Sequence, residues 1–346
     1  MSRKNLELQL AERPKANVIP GQTFKLVESD APTAGDLKDG QILVETYYLS
    51  LDPGPRSWLY DFTSYIPPVA IGERMRGFGI ARVLASKSSK AKEGDMVVSR
   101  SGWAEFAIVD ESQFDVIALP KGTKITDALG AAGLTGQTAY FGLKHIGDPQ
   151  AGETVVISGA AGATGSIVGQ ICKLKGCRVV GIAGSDEKCE MLTEELGFDV
   201  ALNYKSPTFR DDFEKATPDL INVYWDNVGG EILEAALDRA AFRARFVMCG
   251  SISGYNSIGT GTQPGIRNLF QVTIQRVKME GFVVFDYQDD YPEAIGALGQ
   301  WLAEGKIKGK ETVVQGGIKV VDKAFCDLFE GKNTGKLMVQ VKPYDE

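Results

Sequence analysis

The chain has one histidine, His145, five cysteines and eleven tyrosines, and this inventory limits the chemistry open to it. A single imidazole excludes a histidine acid-base pair, a Ser-His-Asp triad and a multi-histidine metal site. His145 lies in YFGLKHIGD, at an expected helix end, where a surface position near the negative end of the helix dipole accounts for it. The cysteines, Cys172, Cys177, Cys189, Cys249 and Cys326, are odd in number and form no C-x-x-C pair. That spacing argues against a disulfide framework and a zinc ribbon, and it fits a reducing compartment. No metal is expected, and the remaining proton donors of suitable strength are tyrosine hydroxyls.

A second pattern concerns phosphate. Glu153 to Ser158, ETVVIS, runs into Gly159-Ala160-Ala161-Gly162-Ala163-Thr164-Gly165 and then into an amphipathic segment. A strand feeding a glycine-rich turn into a helix lets backbone approach a pyrophosphate, whose charge meets unpaired N–H groups and the positive helix end. The string is A-x-G-x-x-G, with Ala160 where the first glycine of the dinucleotide fingerprint stands. An acidic residue about 20 residues further on would bind a ribose 2'-hydroxyl and mark NAD. Here the second strand, 179–183, ends in Gly184-Ser185, and Asp186 and Glu187 fit the first turn of a helix capped by Ser185. Lys188 points back toward a 2'-phosphate and Tyr204 closes the adenosine side, so NADP(H) is favoured over NAD(H). A nicotinamide can deliver hydride without a metal to an electron-poor alkene, because the developing enolate needs only hydrogen-bond donors and a proton source.

These residues need elements to hold them. Length, 346 residues, predicts about two domains. From Gly40 to about Pro120 the runs QILVETYYLSL, GFGIARVLA, DMVVSR, WAEFAIV and FDVIALP are short and bounded by Gly, Pro, Asp or Ser, as in an irregular β domain. From about Ala131 apolar strands alternate with helical segments through YPEAIGALGQWLAEG, which implies a doubly wound parallel sheet covered on both faces. After Gly305 the chain returns to strand, helix, strand, which either extends that sheet or rejoins the β domain. Thirty-eight Lys and Arg against 45 Asp and Glu leave a net charge of -7 and no basic patch. Nucleic acid and anionic lipid surfaces are therefore not expected partners. No run approaches the roughly 18 apolar residues of a membrane span and MSRKNLELQLAERPKA holds no signal-like core, so a cytoplasmic location is expected.

The sequence resembles the zinc-independent medium-chain dehydrogenase/reductases, in the prostaglandin reductase and alkenal double-bond reductase branch. The strings that carry the resemblance are Tyr48-Leu49-Ser50-Leu51-Asp52-Pro53, AAGATGSIVGQICKLKGCRVVGIAGSDEK from Ala160, LGFDVALNYK from Leu196, DNVGGEIL from Asp226, CGSISGYN from Cys249, MEGFVV from Met279 and GKNTGKLMVQV from Gly331. They span nearly the whole chain in order. The resemblance implies a GroES-like irregular β-barrel domain over 1–130, completed by 306–346, a Rossmann NADP-binding domain over 131–305, and a homodimer. It places pyrophosphate contacts on Gly162, Ala163, Thr164 and Gly165, and 2'-phosphate contacts on Lys188 and Tyr204. The nicotinamide half falls to Asn227, to Cys249, Gly250, Ser251, Ile252, Ser253, Gly254 and Tyr255, and to Phe282, Val283, Val284 and Asn333. Tyr255 stands beside the substrate carbonyl. Tyr47 and Tyr48 face opposite ways in a strand, and the motif selects Tyr48 for the substrate cleft.

Two departures bear on the cleft. The family continues D-P-Y-M-R where this chain has Asp52-Pro53-Gly54-Pro55-Arg56, so an aromatic wall is missing or rebuilt. The segment from Tyr60 to Pro68 is rich in aromatic residues, and the loop SGYNSIGTGTQPGIRN is placed to cover the cofactor. The resulting expectation is NADPH-dependent reduction of the carbon-carbon double bond of an α,β-unsaturated aldehyde or ketone, with Tyr255 as the catalytic hydroxyl. An NADPH-dependent quinone oxidoreductase and a non-catalytic NADPH-binding redox sensor are the alternatives. A substrate panel separates the first, and NADPH binding without oxidation would mark the second.

Overall fold

The computed structural model describes residues 3–62, 64–258, 260, 262 and 265–344. Its N-terminal part begins with a hairpin, β1 (Lys4–Leu10) against β2 (Phe24–Asp30), paired antiparallel. The strand pattern in the sequence starts only at Gly40 and does not announce this hairpin. The connecting segment 11–23 lacks a tight two-residue turn, and β2 is mostly exposed. Next come β3 (Gln41–Leu51), β4 (Gly79–Ser86), β5 (Met96–Ser99), β6 (Phe106–Asp110) and β7 (Phe114–Val116). β3 is buried along almost its whole length because it pairs with β4 and β6, which is why it reads as one long apolar run.

Helix α1 (Leu134–Gly142) leads into the alternating part. There β8 (Thr154–Ser158), α2 (Ala163–Leu174), β9 (Arg178–Ala183), α3 (Asp186–Glu190), β10 (Val200–Asn203) and α4 (Phe209–Ala216) form its first half. The second half contains β11 (Ile221–Asp226), α5 (Gly230–Asp238), β12 (Ala240–Met248), α6 (Phe270–Gln275), β13 (Lys278–Gly281) and α7 (Tyr291–Ala303). These six strands form one parallel sheet in the order β10-β9-β8-β11-β12-β13. Val155, Ile157 and Val179 bury on one face with α2, and Val156, Val180 and Tyr224 on the other with α4 and α5. Chain order reverses between β8 and β11, so the crevice outside their carboxyl ends is where this topology binds ligands.

The chain ends with β14 (Glu311–Gln315), α8 (Val321–Phe329) and β15 (Lys336–Gln340). β15 pairs antiparallel with β3, and β14 pairs with β15, in a seven-stranded sheet running β14-β15-β3-β4-β5-β7 with β6 on β3. Of the two placements open for the C-terminal strands, the structure thus has them beside the N-terminal ones. One consequence matters for the site. Gly335, just before β15, donates its N–H to Ala161 O at 2.8 Å, which ties the first sheet to the glycine-rich turn of the second. Among the described residues no helix is long and apolar enough to cross a membrane.

Candidate active site

Two adjoining cavities open at the crevice between the sheets. One, of about 330 Å³, runs along the glycine-rich turn to Lys188 and Tyr204, and the other, a cleft of about 410 Å³, lies between Tyr255, Tyr65 and Phe285. Asp52, Pro53, Thr135, Thr164, Asn227 and Ile252 line both. A molecule lying along the first cavity therefore presents one end to the second.

The turn after β8 is shaped by contacts that leave no room for side chains. A Cβ on Gly165 would stand 2.5 Å from Gly159 O, so only glycine lets α2 start this close to the strand. Hydrogen bonding of α2 begins with Ser166 N to Gly162 O at 3.1 Å. The N–H groups of Ala163, Thr164 and Gly165 precede it, and unpaired first-turn donors with the positive helix end are what a pyrophosphate requires. Gly162, Ala163, Thr164 and Gly165 all line this cavity.

Its far end is cationic. Ser185 caps α3 by accepting from Lys188 N at 3.4 Å, and Lys188 Nζ donates to Gly331 O at 2.6 Å. Lys205 lies next to it, with its ammonium 5.7 Å from the ring centroid of exposed Tyr204. Burial, then the neighbouring Lys205, hold the Lys188 amine below the ordinary lysine value. Two lysines crowded at one end of a dinucleotide cavity suit a dianionic phosphate, which would relieve their repulsion. Lys205 escaped the sequence reading. Its only signal there was adjacency to Tyr204, because the cluster forms only when β10 pairs with β9.

At the junction, the loop after β12 hangs from the end of β11. Cys249 N and Gly250 N donate to Asp226 O at 2.9 and 3.0 Å, Ile252 N to Asn227 O at 3.1 Å, and Ser253 N to Val228 O at 3.1 Å. Beneath it Asp226 is fully buried, and its Oδ1 accepts from Ser158 Oγ, Tyr224 Oη, Val228 N and Gly229 N at 2.9 to 3.1 Å. Burial raises this carboxyl above the ordinary aspartate value despite those bonds. Asn227 Nδ2 donates to Ser158 O at 2.7 Å and its Oδ1 accepts from Trp225 Nε1 at 3.0 Å, which fixes the amide where the two cavities meet.

Tyr255 projects into the cleft from the short turn Ile252–Ser257, and Ser251 N donates to its hydroxyl oxygen at 3.3 Å. With one lone pair taken, the O–H is free to donate into the cleft. Burial keeps the hydroxyl above its usual value, with Cys249, Tyr65 and Asp226 adding to the shift, so it remains a protonated donor at neutral pH. Cys249, Ile252, Phe282, Val283 and Val284 line the same cleft, whereas Ser253 and Asn333 line the dinucleotide cavity. Asn333 Nδ2 donates to Gly335 O at 2.8 Å. Gly250, Ser251 and Gly254 line neither cavity and act from behind. A Cβ on Gly250 would approach the Tyr255 hydroxyl to 3.1 Å.

The aromatic wall is rebuilt. A Cβ at Gly54 would meet the Tyr65 hydroxyl at 3.7 Å, so the space a side chain would take there holds the end of Tyr65 instead. Tyr65 also lies 6.3 Å, ring centroid to centroid, from Phe285. Tyr48 does not belong to either cavity. It is 9% exposed, its ring is 6.4 Å from that of Tyr344, and its hydroxyl accepts from Gln340 Nε2 at 3.2 Å. The cleft is lined from this strand by Ser50 and, just past its end, by Asp52. Arg56, the other residue of the departing segment, is fully buried and donates from Nε to Asn256 Oδ1 at 3.2 Å and from Nη2 to Tyr60 Oη at 2.8 Å. It links the turn Gly54–Leu59 to the turn carrying Tyr255.

Among the described residues no three His, Cys, Asp or Glu side chains cluster so as to hold a metal ion. His145 is exposed, stacks on Tyr287 with ring centroids 4.7 Å apart, and lines neither cavity. Of the loop expected over the cofactor, Gly259, Gly261, Gln263 and Pro264 lie outside the described residues, as does Thr63 in the aromatic segment.

Known proteins resemble this chain over most of its length. Residues 7–117 match a family described as the N-terminal domain of oxidoreductase, and residues 163–300 one described as zinc-binding dehydrogenase. The chain is 40% identical to the NADPH-dependent curcumin reductase of Escherichia coli over 98% of its own length and 97% of the relative's. It is 38% identical to the NADP-dependent 2-alkenal reductase of Nicotiana tabacum, over 87% of each chain. The crystal structure of CurA from Vibrio vulnificus in complex with NADPH superposes with a TM-score of 0.90 at 39% identity, covering 98% of this chain and 100% of that one.

Proposed function

Because the chain belongs to the prostaglandin reductase and alkenal double-bond reductase family of the medium-chain dehydrogenase/reductases, we propose that it reduces the carbon-carbon double bond of α,β-unsaturated aldehydes and ketones without a metal. It is an NADP-dependent oxidoreductase with NADPH as cofactor. NADPH supplies a hydride from C4 of its nicotinamide. The first turn of α2 binds the pyrophosphate, Lys188 with Tyr204 and Lys205 the 2'-phosphate, and the Asn227, Ile252 and Phe282 region the nicotinamide half. Hydride adds to the β-carbon of the substrate and the π electrons move onto the carbonyl oxygen, where the Tyr255 O–H donates to the developing enolate. The α-carbon then takes a proton from tyrosine or water, which completes addition of two hydrogens across the double bond.

The observation that carries this reading is the Tyr255 hydroxyl, held by Ser251 N–H and aimed into an apolar cleft continuous with the dinucleotide cavity. A donor placed where charge develops is worth about a hundredfold in rate or more. Replacing Tyr255 with Phe is therefore expected to slow single-turnover hydride transfer to an enal about a hundredfold while the NADPH dissociation constant stays within twofold. An unchanged rate with NADPH still bound would remove Tyr255 from the mechanism. A homodimer in the cytoplasm completes the proposal. Among the described residues β13 is the last strand of its sheet, and Phe242 in β12, with Leu269, Phe270 and Ile274 at α6, are exposed, between 44% and 71%.

A further inference from the structure

The mechanism leaves one buried ion pair unused. Lys336, in β15, is 2% exposed, and its ammonium is paired with Asp52 at the end of β3. Burying a lysine inside a sheet is costly unless its partner is fixed and otherwise hydrogen-bonded. Asp52 meets that condition: its second oxygen accepts from Ser50 Oγ at 2.6 Å. Unlike Lys336, the carboxylate is not sealed. Asp52 lines both cavities and stands at the seam where the dinucleotide cavity passes into the cleft.

The pair is also tied to the phosphate-binding turn. Gly335, the residue before Lys336, donates to Ala161 O at 2.8 Å, and Lys336 N donates to Lys310 O at 2.7 Å. Asp52 is thus held in register with the turn that takes the pyrophosphate, although the two come from different sheets. Each carboxylate oxygen has about two acceptor positions. Lys336 uses one on Oδ1 and Ser50 one on Oδ2, so each oxygen keeps a further acceptor position. Paired acceptors suit a cis-diol, the group by which an acidic residue holds a ribose in dinucleotide sites.

From this juxtaposition we infer that Asp52, clamped from behind by Lys336, binds the hydroxyls of the nicotinamide-side ribose of NADPH. The inference rests on NADPH being the cofactor and concerns a residue outside the glycine-rich turn, on the other sheet. Its action is on binding and placement of the cofactor, before any substrate is present.

Calorimetric binding to the full-length protein tests it with three probes: NADPH, 2'-phospho-ADP-ribose, which keeps that ribose but lacks the nicotinamide, and adenosine 2',5'-bisphosphate, which lacks both. Two variants are compared, Asp52→Asn and the double variant Asp52→Leu with Lys336→Met. The double variant removes the buried charge along with its partner and so folds even where the single one leaves Lys336 stranded. Expected is a loss of about tenfold in affinity for NADPH and for 2'-phospho-ADP-ribose, the scale of a hydrogen bond to a charged group, with adenosine 2',5'-bisphosphate within twofold of wild type. Unchanged affinity for all three probes would make the pair a staple between strands and overturn the inference. So would an equal loss for all three, or a loss confined to NADPH, which would assign Asp52 to the carboxamide. Since no enal or enone enters the assay, the result is independent of whether the proposed reaction is correct. A wild-type protein that fails to bind NADPH would instead overturn the cofactor assignment beneath it.

Discussion

At the scale of single residues, the proposed 2'-phosphate contact is Lys188, and its environment sets a sign for pH dependence. Its amine is held below the ordinary lysine value by burial and by Lys205. The protonated form is the one that pairs with a phosphate, so the preference for NADPH over NADH is full below that depressed value and shrinks as pH rises through it. NADH binding, which offers no 2'-phosphate, should stay flat over the same range. Lys188→Ala is expected to cost about 10- to 100-fold in NADPH affinity, the range for a hydrogen bond between charged groups, with NADH affinity unchanged. Fluorescence titrations of both coenzymes from neutral to alkaline pH check both statements. The position of Lys188 at the end of the dinucleotide cavity was legible in the sequence because a lysine stood in the first turn after a capping serine. Tyr65 was not. Its hydroxyl reaches the place above Gly54 only through the fold of the intervening chain, and no spacing rule connects a glycine in one turn to a tyrosine in the next.

At the scale of elements, the site depends on two short turns being held together across the crevice. Gly54–Leu59 and Ile252–Ser257 belong to different parts of the molecule and meet through buried Arg56 and Asn256. Asn256→Ala leaves the guanidinium short of a further partner in a place where Nη1 already has none among the described residues. The variant should lose about 1–3 kcal/mol of stability, the cost of an unmade buried hydrogen bond, and the turnover number should fall while NADPH affinity holds. A melting curve together with steady-state kinetics reads both. The repeating strand-helix units were visible in the sequence because each central strand is apolar on both faces, as Thr154–Ser158 shows with every residue buried. Edge elements were harder to see. The β1–β2 hairpin has few apolar residues to bury on its outer strand, and α6 lies in what reads as a long loop, with Phe270 71% exposed. Tyr48 illustrates a different limit: alternation along a strand identifies a face, but only the neighbouring sheet decides how far along that face the cleft extends.

At the scale of the whole molecule, the two larger sheets approach each other at the glycine-rich turn, and the proposed reaction takes place in the crevice they share. The position of β13 at the end of its sheet among the described residues, and the exposed Phe242 and Phe270, give the dimer proposal a location. Sedimentation of the wild-type protein should report about twice the monomer mass of 37.4 kDa, and Phe270→Glu should move it toward one. A wild-type protein that sediments as a monomer at all concentrations would remove that part of the account. Reduction of a conjugated double bond by NADPH is read from coenzyme consumption together with the mass of the product. NADPH absorbance is followed with purified protein against 2-alkenals, enones, quinones and saturated aldehydes, with NADH as the control coenzyme and products identified by mass. Consumption of NADPH with 2-alkenals and enones, yielding the saturated carbonyl compound two hydrogens heavier, is the predicted result. Turnover of quinones alone, or tight NADPH binding with no turnover of any compound in the panel, would contradict it.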